Sequence, residues 1–284
     1  MRVRQLDNRD AQVLAEFLSP RIDTSLFLYA NSARAGLVDQ GERYQGTYLG
    51  AFEGERLVGV VAHYWNGMII TQAPSHLEEL TRAVSRASSR EVTGVIGPLE
   101  QALGALSTLG IERDQLQADS PEVLYSLSLD ALKEPLGREG QRLEARIPIK
   151  ADLPQLIEWT LAYGEETLGT APTATRREEV EVNLTRSIVE ETSYVLLDRG
   201  ELVSMTGFTS EVAQVVQIGG VWTPPELRGR GYARSAVARH LLSARDRGVE
   251  RAILFTAQDN HPAQRAYEAL GFEKIGDYAI MIVK

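Results

Sequence analysis

The chain has 284 residues, 43% of them apolar and 24% charged. That is enough for two domains, or one large one, and for a core that needs no covalent staples. The absence of cysteine excludes disulfides, thiolate nucleophiles and thiolate-bound zinc or iron–sulfur clusters together. The net charge of −9 divides into −6 over residues 1–140 and −3 over residues 141–284, so neither half offers the basic face a nucleic acid needs.

The four histidines, His63, His76, His240 and His261, have no helical three- or four-residue spacing among them, so no local metal pair is expected. The opening MRVRQLDNRD is charged and leads into no apolar signal core. No window approaches the roughly 18 apolar residues of a membrane span. These features predict a cytoplasmic protein without metal, membrane or nucleic-acid partners; they leave the oligomeric state open.

In chain order, residues 50–53 and 56–64 read as a hairpin, followed by a helix at 75–86, a strand at 92–96, a helix at 99–109 and a strand at 123–129. Residues 133–140, punctuated by Pro135, Gly137 and Gly140, mark the best place for a domain change. The predicted domains are 1–139 and 140–284. The second opens with a strand at 143–150, then a helix capped by Asp152, a polar loop with Gly164, Gly169 and Pro172, and a helix capped by Thr175. Strands at 194–197 and 202–208 flank Asp198-Arg199-Gly200, a hairpin signal. A longer strand at 212–223, a helix at 232–246, a short buried strand at 252–256, a helix at 261–270 and final strands at 272–283 complete the pass. Gly54-Glu55-Arg56-Leu57-Val58 stands about 146 residues before Gly200-Glu201-Leu202-Val203, which suggests a duplicated fold. Convergent hairpin chemistry gives the same short match.

The most informative stretch is Val221-Trp222-Thr223-Pro224-Pro225-Glu226-Leu227-Arg228-Gly229-Arg230-Gly231-Tyr232-Ala233. A strand ends, two prolines stop sheet pairing, and a glycine-rich turn enters a helix. Glycine lets the backbone turn tightly and bring amides close to a ligand. The first amides of the helix lack internal partners and, with the dipole, favour an anion such as a diphosphate. Neither common nucleotide fingerprint is present, because Gly229 and Gly231 are followed by Arg234 and no Gly-x-x-x-x-Gly-Lys occurs.

At these residues the sequence resembles the GNAT acetyltransferase superfamily, whose diphosphate signature Arg/Gln-x-x-Gly-x-Gly/Ala is complete at Arg228 to Ala233. A second family signature follows as Asn260-x-x-Ala263-x-x-x-Tyr267-x-x-x-Gly271-Phe272. The specific likeness spans residues 145–284. In the first half it rests on element order alone, since Thr71-Gln72-Ala73-Pro74-Ser75-His76 stands, without glycine, where the phosphate loop should fall. The implied fold is α/β: two GNAT-like domains in tandem, each a twisted mixed sheet flanked by helices, the first a degenerate, non-catalytic copy that buttresses the second.

The resemblance implies acetyl-CoA as acyl donor, held between two parallel strands that splay apart. Backbone groups of Val221, Trp222 and Thr223 would pair with its pantetheine arm, and amides from Gly229 through Arg230, Gly231, Tyr232 and Ala233 would hold the diphosphate. The Arg228 and Arg230 side chains would either reach the phosphates or make a solvated surface. Asn260 would bond the arm, cap the following helix, or do both, and Ala263 would leave room beside it. Gly219-Gly220 sits at the family's central bulge, where an amide at Gly220 could polarise the thioester carbonyl. Tyr267 would serve as acid for the leaving sulfur; the bland alternative is a core tyrosine. For Trp222, ordinary packing is favoured over ligand stacking.

The chemistry explains why such groups are needed. A lysine-like amine with pKa about 10.4 is neutral in only about one molecule in 10³ near pH 7, a cost of roughly 4–5 kcal/mol without a base. A tyrosine phenol near 10 is protonated and can give its proton to a departing thiolate. No covalent enzyme intermediate is required. The general base is the weakest assignment: where the family often carries a glutamate on the central strand, this strand offers Gln214 and Gln217, with Glu211 at its far start; Glu165 and Glu166 are the alternatives, and a water-relayed path is the default. Residues 151–192 carry nine acidic and three basic side chains. That excess would suit a cationic amine acceptor, small molecule or protein, or simply make a solvated helix face. A different acyl donor or a thiol-metabolite acceptor, as in tandem enzymes such as mycothiol synthase, and a non-catalytic acyl-CoA sensor are the competing functions.

Overall fold

The computed structural model describes residues 2–135, 137, 139–212 and 214–284. In chain order the elements are β1 (Arg2–Gln5), α1 (Ala11–Leu18), α2 (Ile22–Ala35), β2 (Gly46–Glu53), β3 (Arg56–Tyr64), β4 (Met68–Gln72), α3 (Leu77–Ser88), β5 (Gly94–Pro98), α4 (Leu99–Leu109) and β6 (Leu116–Ser128). There follow β7 (Leu143–Arg146), α5 (Leu153–Leu168), α6 (Ala174–Val189), β8 (Ser193–Asp198), β9 (Glu201–Val212), β10 (Val215–Trp222), α7 (Tyr232–Asp246), β11 (Arg251–Ala257), α8 (His261–Glu268) and β12 (Glu273–Val283). No helix among the described residues is long and apolar enough to cross a membrane.

Two compact units divide the chain: Met1–Leu124 with Gly276–Lys284, and Tyr125–Ile275. The parting therefore falls inside β6, ahead of the segment near residue 140 where the sequence places it, and the end of the chain returns to the first unit through β12. Proline and glycine mark where the backbone is irregular; they do not mark where packing partners change. Of that segment, Leu136 and Arg138 lie outside the described residues, as does Ala213 of the predicted strand at 212–223.

In the first unit the sheet runs β1-β2-β3-β4-β5-β12, antiparallel except for the parallel pair β4–β5. Alternation along the strands separates two core layers. Leu49, Ala51, Val61 and Ile69 face Leu80 and Val84 of α3 and Ala102 and Leu106 of α4. Tyr48, Val60, Ala62 and Ile70 face Leu14, Phe17 and Leu18 of α1 and Leu28 of α2. The sequence reading assigned no element to residues 11–45, although Val13, Leu14, Phe17 and Leu18 carry helical spacing.

The second unit repeats the plan with β7-β8-β9-β10 antiparallel and β10–β11 parallel. Val195 and Leu197 meet Leu156 and Trp159 of α5, while Leu196 between them meets Tyr232 and Ala236 of α7. The two hairpins correspond at an offset of 145 residues, Glu53↔Arg56 matching Asp198↔Glu201, and each shifts register at the same point, Ala51/Phe52 and Leu196/Leu197. A shared irregularity is stronger support for duplication than the shared Gly-Glu-x-Leu-Val letters. Those letters are in fact slightly out of step: Gly54 takes the first turn position and Gly200 the second.

Other local differences have simple causes. Gly164 lies within α5, buried, because packing outweighs the helix cost of about 1 kcal/mol that glycine carries. Thr173, not Thr175, caps α6 by accepting from Arg176 N. The Asp152 side chain caps nothing in α5; it accepts from Ile149 N at 2.7 Å and pairs with Arg146 at 2.6 Å. The predicted strand at 212–223 is split, its first residue ending β9 and its remainder forming β10 after a turn.

Candidate active site

The parallel pairing of β10 and β11 is brief. Val215, Val216 and Gln217 face Arg251, Ala252 and Ile253, and no further pair joins the two strands among the described residues, although β10 continues to Trp222 and β11 to Ala257. The carboxyl ends thus part, and a crevice outside the carboxyl ends of parallel strands is where open α/β sheets receive ligands.

On its other side β10 breaks register with β9 twice. Thr209 is left unopposed between Gln217↔Ser210 and Ile218↔Phe208, and then Gly220 and Val221 together stand opposite Thr206. Gly220 has φ +60°, and a Cβ there would meet no atom within 4 Å. A Cβ on Gly219 would come within 2.5 Å of Thr209 Cγ2. The glycine pair therefore serves two ends: one residue turns the backbone into the left-handed region, and the other admits the neighbouring strand.

The segment after β10 rises through a single 3-10 turn, Pro225–Leu227, into α7. Gly229 and Gly231 both have positive φ, +74° and +85°, and a Cβ on Gly229 would meet nothing within 4 Å. No side chain caps the start of α7, and its first turn holds no acidic residue. An open glycine turn followed by uncapped amides at a positive dipole end suits a diphosphate. Tyr232 begins the helix with its amide, while its ring is buried and its hydroxyl donates to Asp198 Oδ2 at 2.6 Å. Asp198 Oδ1 accepts from Arg142 N at 2.9 Å. The bond from Tyr232, then the one from Arg142, hold the Asp198 carboxyl below the usual carboxylate range.

Several expected donor contacts are qualified by the geometry. The Trp222 ring is in the core, packed against Leu156 and Trp159 and edge-on to Tyr163 at 6.4 Å. Its carbonyl accepts from Ser204 Oγ at 2.9 Å, and Ser204 Oγ also bonds Thr223 Oγ1 at 2.9 Å. Arg228 folds back, its Nε donating to Thr223 O at 3.0 Å and its Nη2 to Glu166 Oε2 at 2.9 Å. The Thr223 carbonyl is thus engaged within the protein. Arg230 is exposed and donates to Glu226 O at 3.2 Å.

After β11, Asn260 caps α8 by accepting from Ala263 N at 3.2 Å, and Gln264 Nε2 donates to the carbonyls of Ala257 and Gln258. Tyr267 is half-buried, its ring edge-on to Phe272 at 5.9 Å. Asn260, Ala263 and Tyr267 therefore follow the carboxyl end of one splayed strand, and residues 223–233 follow the other. Of the polar residues considered for the base, Glu166 reaches this region but is bonded to Arg228, and those of the central strand lie away from it or are buried. Gln214 and Glu211 lie at the opposite end of β10, bound to Glu250 and near Arg247, and Gln217 is buried. Two further carboxylates of the acidic stretch are also paired, Glu158 with Arg177 and Glu179 with Arg176.

Residues 153–272 match the family described as the acetyltransferase (GNAT) family. The second unit is a GNAT acetyltransferase domain. Solved structures of GNAT proteins resemble the whole chain. One is an acetyltransferase from Colwellia psychrerythraea, at TM-score 0.56 and 14% identity, covering all of both chains. A GCN5-related N-acetyltransferase from Sphaerobacter thermophilus gives TM-score 0.63 and 16% identity over 99% and 94% of the two chains. A tandem GNAT protein from the clavulanic acid biosynthesis pathway gives TM-score 0.59 and 14% identity over 99% and 97%. At such identities the likeness is one of fold, and it is a tandem GNAT fold with the acyltransferase signature in the second half. No curated protein matched the chain by sequence.

Sequence reasoning passed over Ser204 and Asp198, which brace the GNAT loop from below. No local pattern announces them, because each acts on a partner more than 15 residues away.

Proposed function

We propose that the protein is an acetyl-CoA-dependent N-acetyltransferase whose acceptor is a primary amine, with direct attack in a ternary complex. The observation that carries this reading is the open glycine turn at Gly229–Gly231, leading into the uncapped start of α7 beside two strands that part. The donor supplies an activated acyl group as a thioester. Amides of residues 229–233 bind its diphosphate, and Gly220, in the bulge, aims an amide at the carbonyl that gains charge during attack. Tyr267 holds a proton at Oη for the sulfur that departs. Asn260 fixes the start of α8, which keeps Tyr267 in register with the strand ends. With Glu166 paired to Arg228 and Gln217, an amide, unable to serve as a base, water carries the amine's proton. The first unit is a degenerate copy that takes no donor.

The pairing of Glu166 with Arg228 and the distance of Glu211 from the strand ends, near Arg247, favour one other reading, a non-catalytic acyl-CoA sensor. Thiol release against a panel of amines separates the two, since turnover supports the enzyme and tight binding without turnover supports the sensor. The donor site itself is tested by thermal unfolding. Acetyl-CoA, and not acetate, raises Tm in the native chain, and Gly231→Trp abolishes the shift; a shift that survives the substitution moves the site elsewhere.

A further inference from the structure

Arg228 holds the first position of the signature, where arginine or glutamine stands, and its side chain is engaged within the protein. Nε donates to the Thr223 carbonyl, Nη2 donates to Glu166, and the guanidinium carbon lies 4.7 Å from the centre of the Trp222 ring. Two directed bonds and one stacked face fix both the plane and the direction of a guanidinium. Glu166 in turn belongs to the last turn of α5, where the helix has no basic residue of its own. A carboxylate at that negative dipole end is unfavourable unless a cation is brought to it, and Arg228 brings one from the other side of the strand end.

We propose that Arg228 is a positioning residue, a strap that joins the turn after β10 to the C-terminal turn of α5, so that donor binding is felt at α5. The proposal rests on reading residues 223–233 as the donor-binding turn. It adds to that reading that the side chain of the first arginine of the signature faces inward and ties the turn to α5. An exposed ion pair alone contributes little, and these two side chains are 42% and 49% exposed. The carbonyl bond and the ring contact make the pair part of one network, whose members do not act additively. The end of α5 offers a local reporter. Gly169 N donates to Glu165 O at 3.2 Å and Thr170 N to Gly164 O at 3.1 Å, closing the turn that carries Glu166.

The experiment is amide hydrogen exchange over residues 165–173 of the full chain, with and without saturating acetyl-CoA, alongside calorimetry with acetyl-CoA. In the native chain, acetyl-CoA slows exchange at Gly169 and Thr170. Glu166→Gln removes that slowing while the Kd for acetyl-CoA changes by less than about threefold. Arg228→Lys, which keeps the charge and loses the fork, behaves like Glu166→Gln, and the double variant is no worse than either alone. Slowing that persists in Glu166→Gln overturns the strap, as does its absence in a saturated native chain. So does a loss of more than about tenfold in acetyl-CoA affinity on Arg228→Gln with none on Glu166→Gln, which makes Arg228 a phosphate ligand. If the native chain takes up no acetyl-CoA at millimolar concentration, the donor reading falls and the strap with it; uptake without any exchange response sinks the strap alone.

Discussion

Strand β4 keeps an unbroken register with β3, from Val60 opposite Gln72 to His63 opposite Ile69, whereas β10 breaks register with β9 twice before it ends. Past the paired residues Met68–Ile70 and Gly94–Ile96, β4 and β5 stay in close contact, and a Cβ on Gly97 would fall 2.1 Å from Thr71 Oγ1. Beyond the corresponding point β10 and β11 part. The turns that follow differ as sharply. Ala73 N is already satisfied by Gln101 Oε1 at 2.7 Å, and α3 opens with Glu78 and Glu79 in its first turn, charges that repel an anion at a helix start. In α7 that turn carries no acid, and neither helix start has a side-chain cap. One fold thus yields a closed strand end and an open one. The difference lies in two glycines of a bulge, two of a turn, and one glutamine that accepts from the backbone amide at the closed end.

The largest expected effect separates the two ends by occupancy. Calorimetry should find one acetyl-CoA per chain, with affinity reduced at least about 100-fold by Gly231→Trp and unchanged by Ser75→Ala; two equivalent sites would erase the contrast. Tyr267→Phe should lower kcat by about 10- to 100-fold while leaving the acetyl-CoA Kd within about threefold. A fully active variant in a thiol-release assay removes the acid from Tyr267.

The buried histidines sharpen the contrast through pH. His63 in the first unit is satisfied by Ser88 Oγ at 2.7 Å and Gly67 O at 3.1 Å. His240 in α7 is stacked between Tyr194 and Phe208, and neither ring nitrogen has a hydrogen-bond partner among the described residues. Burial pushes the His240 imidazole down to about 3, with a smaller contribution from Arg247. The unfolded chain, titrating near 6.5, takes the proton first, so stability is full above pH 6.5 and falls as pH drops toward 3. The slope is at most about 1.4 kcal/mol per pH unit from this group. Urea unfolding at pH 7.5 and pH 5 should show that loss in the native chain and a smaller one in His240→Phe; equal losses would place the acid sensitivity elsewhere.

The smallest effect concerns Gln101. Gln101→Ala leaves the buried Ala73 amide without its acceptor and should cost about 1–3 kcal/mol in chemical unfolding without creating a second acetyl-CoA site. A gain of binding in that variant would mean that one glutamine, and not the missing glycines, keeps the first unit silent.

The order of letters determined the class of the fold, the two signatures and the two elements they join. Alternation and helical spacing are local properties, and so is a glycine turn before a helix; they are readable wherever neighbouring residues settle the matter. Even the bulge at Gly219-Gly220 was legible, because a glycine pair inside a strand is costly without a reason. Tertiary structure decided the rest. Asp198 under Tyr232, Ser204 under Trp222, and Glu166 across from Arg228 join residues 18 to 62 positions apart. The direction an arginine takes depends on which carbonyl, carboxylate and ring happen to converge around it. The return of the final strand to the first unit was likewise invisible, since the free energy of a strand edge depends on which partner reaches it, and no short stretch of sequence contains that partner.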